Sequence, residues 1–263
     1  MFNFPSNKRG KNFKFKKNLL KSVIFQLKYD VTGAVIPRSK EIHDRLKNKF
    51  PIINPIMESQ TSIQISKDKT PIIQPITNTK KGLELKTEDN TKIFSITDDT
   101  FTYTIFGTVY ENFDNAFSEI REDFFPILEE SNISNFNRIA IRKINLMERE
   151  DSKVSSDHEL LLLAFRENLI NCFISIPDTK SMVSGVTSIK MEKENKRLNI
   201  SYGIIPPSPK KENKQLLLDI DLFFINQGIA IESVESKWEE INNEIFNIFI
   251  WAISDKLRRS LDE

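Results

Sequence analysis

The sequence predicts an α+β protein in which an antiparallel sheet carries its helices on one face. Three observations predict it. Helical segments are separated by runs of consecutive strands rather than by single strands, the pattern of antiparallel sheets with helices on one side. The order strand, helix, several strands, helix occurs twice, over residues 19–133 and 134–263. The strand segments alternate apolar and polar residues with period two, as half-buried strands do.

The elements follow in order. Residues 1–18, MFNFPSNKRGKNFKFKKN, hold Lys8, Arg9, Lys11, Lys14, Lys16 and Lys17 with no acid before Asp30. This stretch reads as a basic, flexible arm outside the core, either simply solvated or offered to an anionic partner. Phe13 and Phe15 alternate with lysines there, which suits a strand edge or base stacking. In LLKSVIFQLKYD, Val23, Phe25, Leu27 and Tyr29 share one face of a strand. A helix follows from Pro37, with Ile42, Leu46 and Phe50 on one side, and Pro51 stops it. Short strands are expected at 61–66, 70–76, 81–87, 91–96 and 100–107. The stretch 110–130 predicts a helix whose Phe113, Phe117, Ile120 and Phe124 form a core-facing stripe, ended or kinked by Pro126.

The second round opens on FNRIAIRKINLM, a strand from Phe136. Ser156 and Glu159 form a capping box ahead of a helix through Cys172 and Phe173. Strands are expected at 181–193, 197–205 and 215–227. One long helix, 234–261, closes the chain, with Trp238, Ile241, Ile245 and Ile248 on its core face. A strand–helix–strands–helix unit used twice resembles TATA-binding-protein-like or helix-grip architectures, in which paired sheets join into one curved sheet. The resemblance is one of element order.

Composition narrows the function. The chain has 263 residues, enough for one large core or two small ones. A formal net charge of +1 gives no bulk pull toward nucleic acid or anionic membranes. No apolar run of membrane-spanning length and no secretory leader pattern is present, so no membrane partner is expected. Cys172 is the single cysteine, which fits a reducing cytoplasm. In LINCFI it reads as a small buried hydrophobe. With only His43 and His158, a multi-histidine metal site is excluded, and both read as solvated polar residues. Seven glycines, none in GxGxxG or GxxxxGK[ST], argue against a phosphate-cradling nucleotide loop. No catalytic, cofactor-binding or metal residues are therefore assigned, and a non-enzymatic protein is expected.

The charged residues in strands carry the most information. Arg138 and Arg142 share one strand face, bracketing Ala140. Asp219 and Asp221 share a face in QLLLDIDLFF. Charges inside a sheet are costly without partners, so these arginines are expected to pair with those aspartates. The other reading sets them on an open surface to bind a phosphate or a partner's carboxylate. On that reading Arg138, Arg142 and Lys143, with Lys14, Lys16 and Lys17 of the arm, are the candidate binding residues.

Three segments resemble a sporadically distributed, uncharacterised prokaryotic protein family. FNRIAIRKIN is similar to its Arg-x-x-x-Arg-aromatic-Ile-Asn strand, with Lys143 at the aromatic position. Phe101 to Phe117 is similar to its strand followed by Tyr, Trp and Phe, with Phe113 at the Trp position. Leu218 to Leu222, then Trp238, Asn242, Phe246 and Leu257, resembles its Leu-Asp-Ile-Asp strand and closing helix. Patchy distribution implies a mobile module of defence, immunity or toxin–antitoxin type. The expected function is thus a protein-binding module of such a system; the alternative is a nucleic-acid-binding protein using the basic arm and the Arg138/Arg142 strand.

Overall fold

The computed structural model describes residues 2–6, 15–60, 63–65, 71–73, 77–148, 157–174, 183–206 and 214–263. It is an α+β protein built on a nine-stranded antiparallel sheet. The strands are β1 (Leu20–Lys28), β2 (Ile52–Gln60), β5 (Thr77–Lys86), β6 (Lys92–Thr97), β7 (Thr100–Phe106), β8 (Asn135–Glu148), β9 (Gly185–Lys193), β10 (Lys196–Ile205) and β11 (Gln215–Ala230). Between β2 and β5 lie β3 (Ile63–Ile65) and β4 (Pro71–Ile73), which pair with each other. The order across the large sheet is β2-β5-β6-β7-β1-β8-β11-β10-β9, with β1 and β8 antiparallel at its middle.

Alternation decides which face is buried, because successive side chains point to opposite sides. Val23, Phe25 and Leu27 of β1 meet Ile105, Tyr103 and Phe101 of β7 across the ladder, and all are buried. Leu216, Leu218, Ile220, Leu222 and Phe224 of β11 and Leu198, Ile200, Tyr202 and Ile204 of β10 continue this face. The described helices pack on it: α1 (Ser39–Leu46), α2 (Phe113–Glu119), α3 (Phe125–Glu130), α4 (Asp157–Ala164), α5 (Glu167–Ile174), α6 (Val234–Ala252) and α7 (Asp255–Asp262). Trp238 of α6 is 0% exposed. Its indole Nε1–H donates to the Ala140 carbonyl at 3.0 Å, and its ring sits edge-on to Phe25 at 5.2 Å. Ile241, Ile245 and Ile248 are buried beside it, as their spacing predicts.

The stretch 113–130 is one helical path with a widened turn. Phe125 N–H donates to the Ile120 carbonyl, five residues back, over Ile120–Phe124. Pro126 explains the widening: it has no N–H to give to residue 122, and its ring would crowd that carbonyl. The wider turn lets both Phe124 and Phe125 point inward. Phe124 stacks on Phe94 at 4.5 Å and touches Phe50, Phe101 and Tyr103. Asn132, with φ 59°, then ends the path in a left-handed residue, and Ile133 N–H returns to the Leu128 carbonyl.

Two helix expectations are corrected. The closing helix is two helices, broken at Ile253 and Ser254, and the helix after Ser156 breaks at Phe165 and Arg166. The breaks face each other: Phe165 and Ile253 form an antiparallel bridge, Arg166 N–H donates to the Ala252 carbonyl at 3.1 Å, and Ser254 N–H to the Ala164 carbonyl at 2.9 Å. Each break thus satisfies the backbone groups that the other exposes. The segment 52–60, where no element is expected, is an edge strand, and Pro55 is tolerated there because an edge can spare an N–H.

The N-terminal stretch is not a detached arm. Phe2 is 6% exposed and belongs to the core, its N–H donating to Glu244 Oε1 at 2.5 Å. Phe4 meets Trp251 edge-on at 4.9 Å, and Phe15 packs against Phe246 and Phe249. Burial of these phenylalanines ties the described residues down, while Lys16 and Lys17 remain exposed. Cys172 is exposed, because Leu169, Ile170 and Phe173 take the inward side of α5. Lys14 and Ser156 lie outside the described residues. No helix of the described residues is long and apolar enough to cross a membrane.

Candidate binding face

The sheet face away from the helices carries Arg138, Ala140, Arg142 and Ile144 of β8. Arg142 sits opposite Ile24 of β1 and Asp221 of β11. Arg138 sits opposite Lys28 and Ile225. Neither arginine pairs straight across: Arg142 reaches the diagonal Asp219, and Arg138 reaches past Phe223 to Asp221. Arg142 donates from Nε to Asp219 Oδ1 at 2.8 Å and from Nη2 to Asp219 Oδ2 at 2.5 Å, a bidentate pair. Arg138 donates from Nη2 to Asp221 Oδ2 at 3.2 Å. Diagonal neighbours on one sheet face lie within reach of long side chains, and Arg138 extends one step further along the strand, so the four charges form a ladder of alternating sign. The expected pairing of both arginines with Asp219 and Asp221 is what the structure shows.

The two pairs differ in environment. The Arg142 side chain is 46% exposed and Asp219 13%. The hydrogen bond to Asp219 is the largest influence on Arg142 and raises its pKa. Arg138 is deeper: its guanidinium lies 4.0 Å from the Phe223 ring centre, a cation–π stack. Burial is its largest influence and lowers its pKa, against the pull of Asp221. Asp221 mirrors it. Burial pushes its carboxyl up, while Arg138 and an Asn199 amide at 3.4 Å pull it down without winning. Arg138 Nε is buried and has no acceptor among the described residues.

Around the ladder the face mixes uncharged polar side chains with apolar ones: Ile24, Ile144, Phe223 and Ile225 flank the charges, and Ile225 is exposed. Gln26 lies between Thr102 and Ala140, and Thr102 pairs onward with Ser95. On the other flank, Ser201 and Ser188 share a hydrogen bond at 2.9 Å. Arg197 is ion-paired with Glu192. Such a surface can hydrogen-bond a partner through hydroxyls and amides while its central charges neutralise each other.

The other candidate residues lie elsewhere. Lys143, odd-numbered, points to the helix side, where its Nζ donates to Asn242 Oδ1 at 2.6 Å and approaches the Tyr110 ring. Adjacent strand residues face opposite ways, so Lys143 could not have joined Arg142; that signal was present in the sequence. Lys16 and Lys17 donate their backbone N–H groups to the Leu261 carbonyl of α7, also on the helix side. His43 is not a solvated group: its Nε2 is buried without a hydrogen-bond partner among the described residues.

Sequence reasoning missed a second ionic cluster. Lys196 at the start of β10 lies on the helix side, paired with Glu240 and, at 3.3 Å, with buried Glu244 of α6. Its strand parity with Leu198 and the i, i+4 spacing of the two glutamates were the available signals.

No family model matches the chain, and no curated protein matches it. Among solved structures, one described as "KH domains" matches at 10% identity over 92% of this chain, with a TM-score of 0.21. This chain spans 64% of that structure's length. A likeness at that score carries no argument about fold or function.

Proposed function

We propose that the chain is a non-enzymatic module that binds another protein through the helix-free face of its sheet. One observation carries this reading: the face sets hydroxyls, amides and apolar side chains around a self-neutralised Arg–Asp ladder. A face of mixed polar and apolar side chains with its central charges neutralised suits a protein surface, whereas nucleic acid draws most of its affinity from phosphates meeting unneutralised cations. The backbone of Lys16 and Lys17 is tied to α7, on the helix side and away from this face. The family resemblance suggests a defence, immunity or toxin–antitoxin system as the setting.

The sheet order also supports reading the chain as two tandem halves in TATA-binding-protein-like order. Outward from β1 run β7, β6 and β5; outward from β8 run β11, β10 and β9. Each half starts at the centre, passes through a helix and returns inward strand by strand.

The test is capture from a native lysate by the wild-type chain and by Thr102→Arg, with protein and nucleic acid both identified, plus heparin retention across a salt series. The expected result is a nuclease-resistant protein partner lost with Thr102→Arg. Heparin retention at physiological salt, with nucleic acid recovered, would overturn it.

A further inference from the structure

The sheet has two edges, and they are not equivalent. The β2 edge contains Pro55, which has no N–H, and a register shift between Ile56 and Met57. Both devices blunt an edge. The β9 edge has neither. Its strand pairs with β10 in unbroken register from Gly185 to Lys193, and no described strand pairs with its outer side. Gly203 lets β10 approach closely: its φ is +141°, and a Cβ there would stand 2.1 Å from the Gly185 carbonyl oxygen. Val186 and Met191 of β9 are exposed apolar side chains, Met191 at 38%.

Lysines commonly guard such an edge, and β9 carries Lys190 and Lys193. Glu192 changes the outcome. If β9 meets a second β9 about a two-fold axis normal to the sheet, side chains keep their faces, so only registers pairing residues of equal parity are allowed. Centring on Lys190 sets Lys190 against Lys190, and centring on Glu192 sets Glu192 against Glu192. Centring on Ile189 brings the two lysines into diagonal contact with no ion pair. Centring on Met191 sets Lys190 opposite Glu192 of the other copy, twice. Arg197 already pairs with Glu192 within the chain, so a row of alternating charge would cross the junction. On the other face, Met191 would meet its own copy.

We infer that β9 is a self-association edge, joining two copies of this chain antiparallel in the register centred on Met191. Main-chain hydrogen bonds supply the attraction, and the Lys190–Glu192 pairs select the register. This inference does not rest on the protein-binding reading above: it concerns the β9 edge and shares with that face only its flank, the Arg197–Glu192 pair.

The experiment is light scattering coupled to size exclusion on the full chain over a wide concentration range. The wild type is expected to move from monomer to dimer mass as concentration rises. Lys190→Glu and Glu192→Lys should each stay monomeric, since each sets like charges opposite one another. The double charge swap should restore the dimer yet form no mixed dimer with wild type. Unchanged circular dichroism and unfolding midpoints would show that the single variants remain folded. A wild type monomeric at every concentration overturns the inference. So does a dimer that both single reversals leave intact.

Discussion

Asp221, two residues from Asp219 on the same strand, should make stability depend on pH. Burial raises the Asp221 pKa above its ordinary value. A carboxyl raised on folding binds more protons in the native than in the unfolded state. Its contribution to stability is therefore greatest at low pH and declines as pH rises from the ordinary carboxylate range through the raised value. Asp221→Asn removes this dependence. The urea midpoint of the variant relative to wild type should rise between acid and neutral pH; a relative fall would mean that Arg138 holds Asp221 as a stabilised anion. Arg142→Ala should cost only about 1 kcal/mol or less, because that pair is half exposed and solvent-screened. A double-mutant cycle with Asp219→Ala checks it. The pairing itself was legible, since like charges on one face of each strand require partners. The diagonal register was not, because it depends on how two distant strands align.

At the scale of elements, periodicity found the helix faces and overlooked their ends. Trp238 fills the space between α6, α2 and the sheet, so Trp238→Ala should cost about 3–5 kcal/mol in chemical denaturation. The break at Ser254 is a different kind of feature. Ser254 Oγ accepts from Leu257 N–H at 3.0 Å and itself donates to the Leu163 carbonyl at 2.5 Å. One hydroxyl therefore caps α7 and ties it to α4. Ser254→Ala should destabilise by about 1–2 kcal/mol, the upper range for a lost cap. An effect near zero would show that the break needs no cap. Ser followed by Asp at 254–255 is an N-cap signal inside an apolar helical pattern, and the pattern masked it. The facing break at Phe165 has no local signal; it exists because Ile253 lies beside it.

Across the whole molecule, the first residues belong with the last helices. Phe2, Phe4 and Phe15 settle on the outer side of α6 through Glu244, Trp251, Phe246 and Phe249. Phe2→Ala should lower stability by about 1.5–3 kcal/mol, the worth of a buried large apolar side chain. Thermal or urea unfolding of that variant checks it, and an unchanged midpoint would return the segment to the solvated arm that its lysines suggest. The basic count of the arm is plain in the sequence. That its phenylalanines outvote its lysines depends on an apolar groove made by residues some 240 positions away.

The sequence by itself determined the class of fold, the strand and helix faces, and the need of Arg138 and Arg142 for acidic partners. These follow from local rules: period two, period 3.6, and the cost of a charge out of water. The tertiary structure alone decided which strands became neighbours, where helices broke, and which side of the sheet each cation reached. Those outcomes depend on contacts between residues far apart in the chain, and a one-residue change of strand parity, as between Arg142 and Lys143, is enough to move a charge from the open face to the helix side.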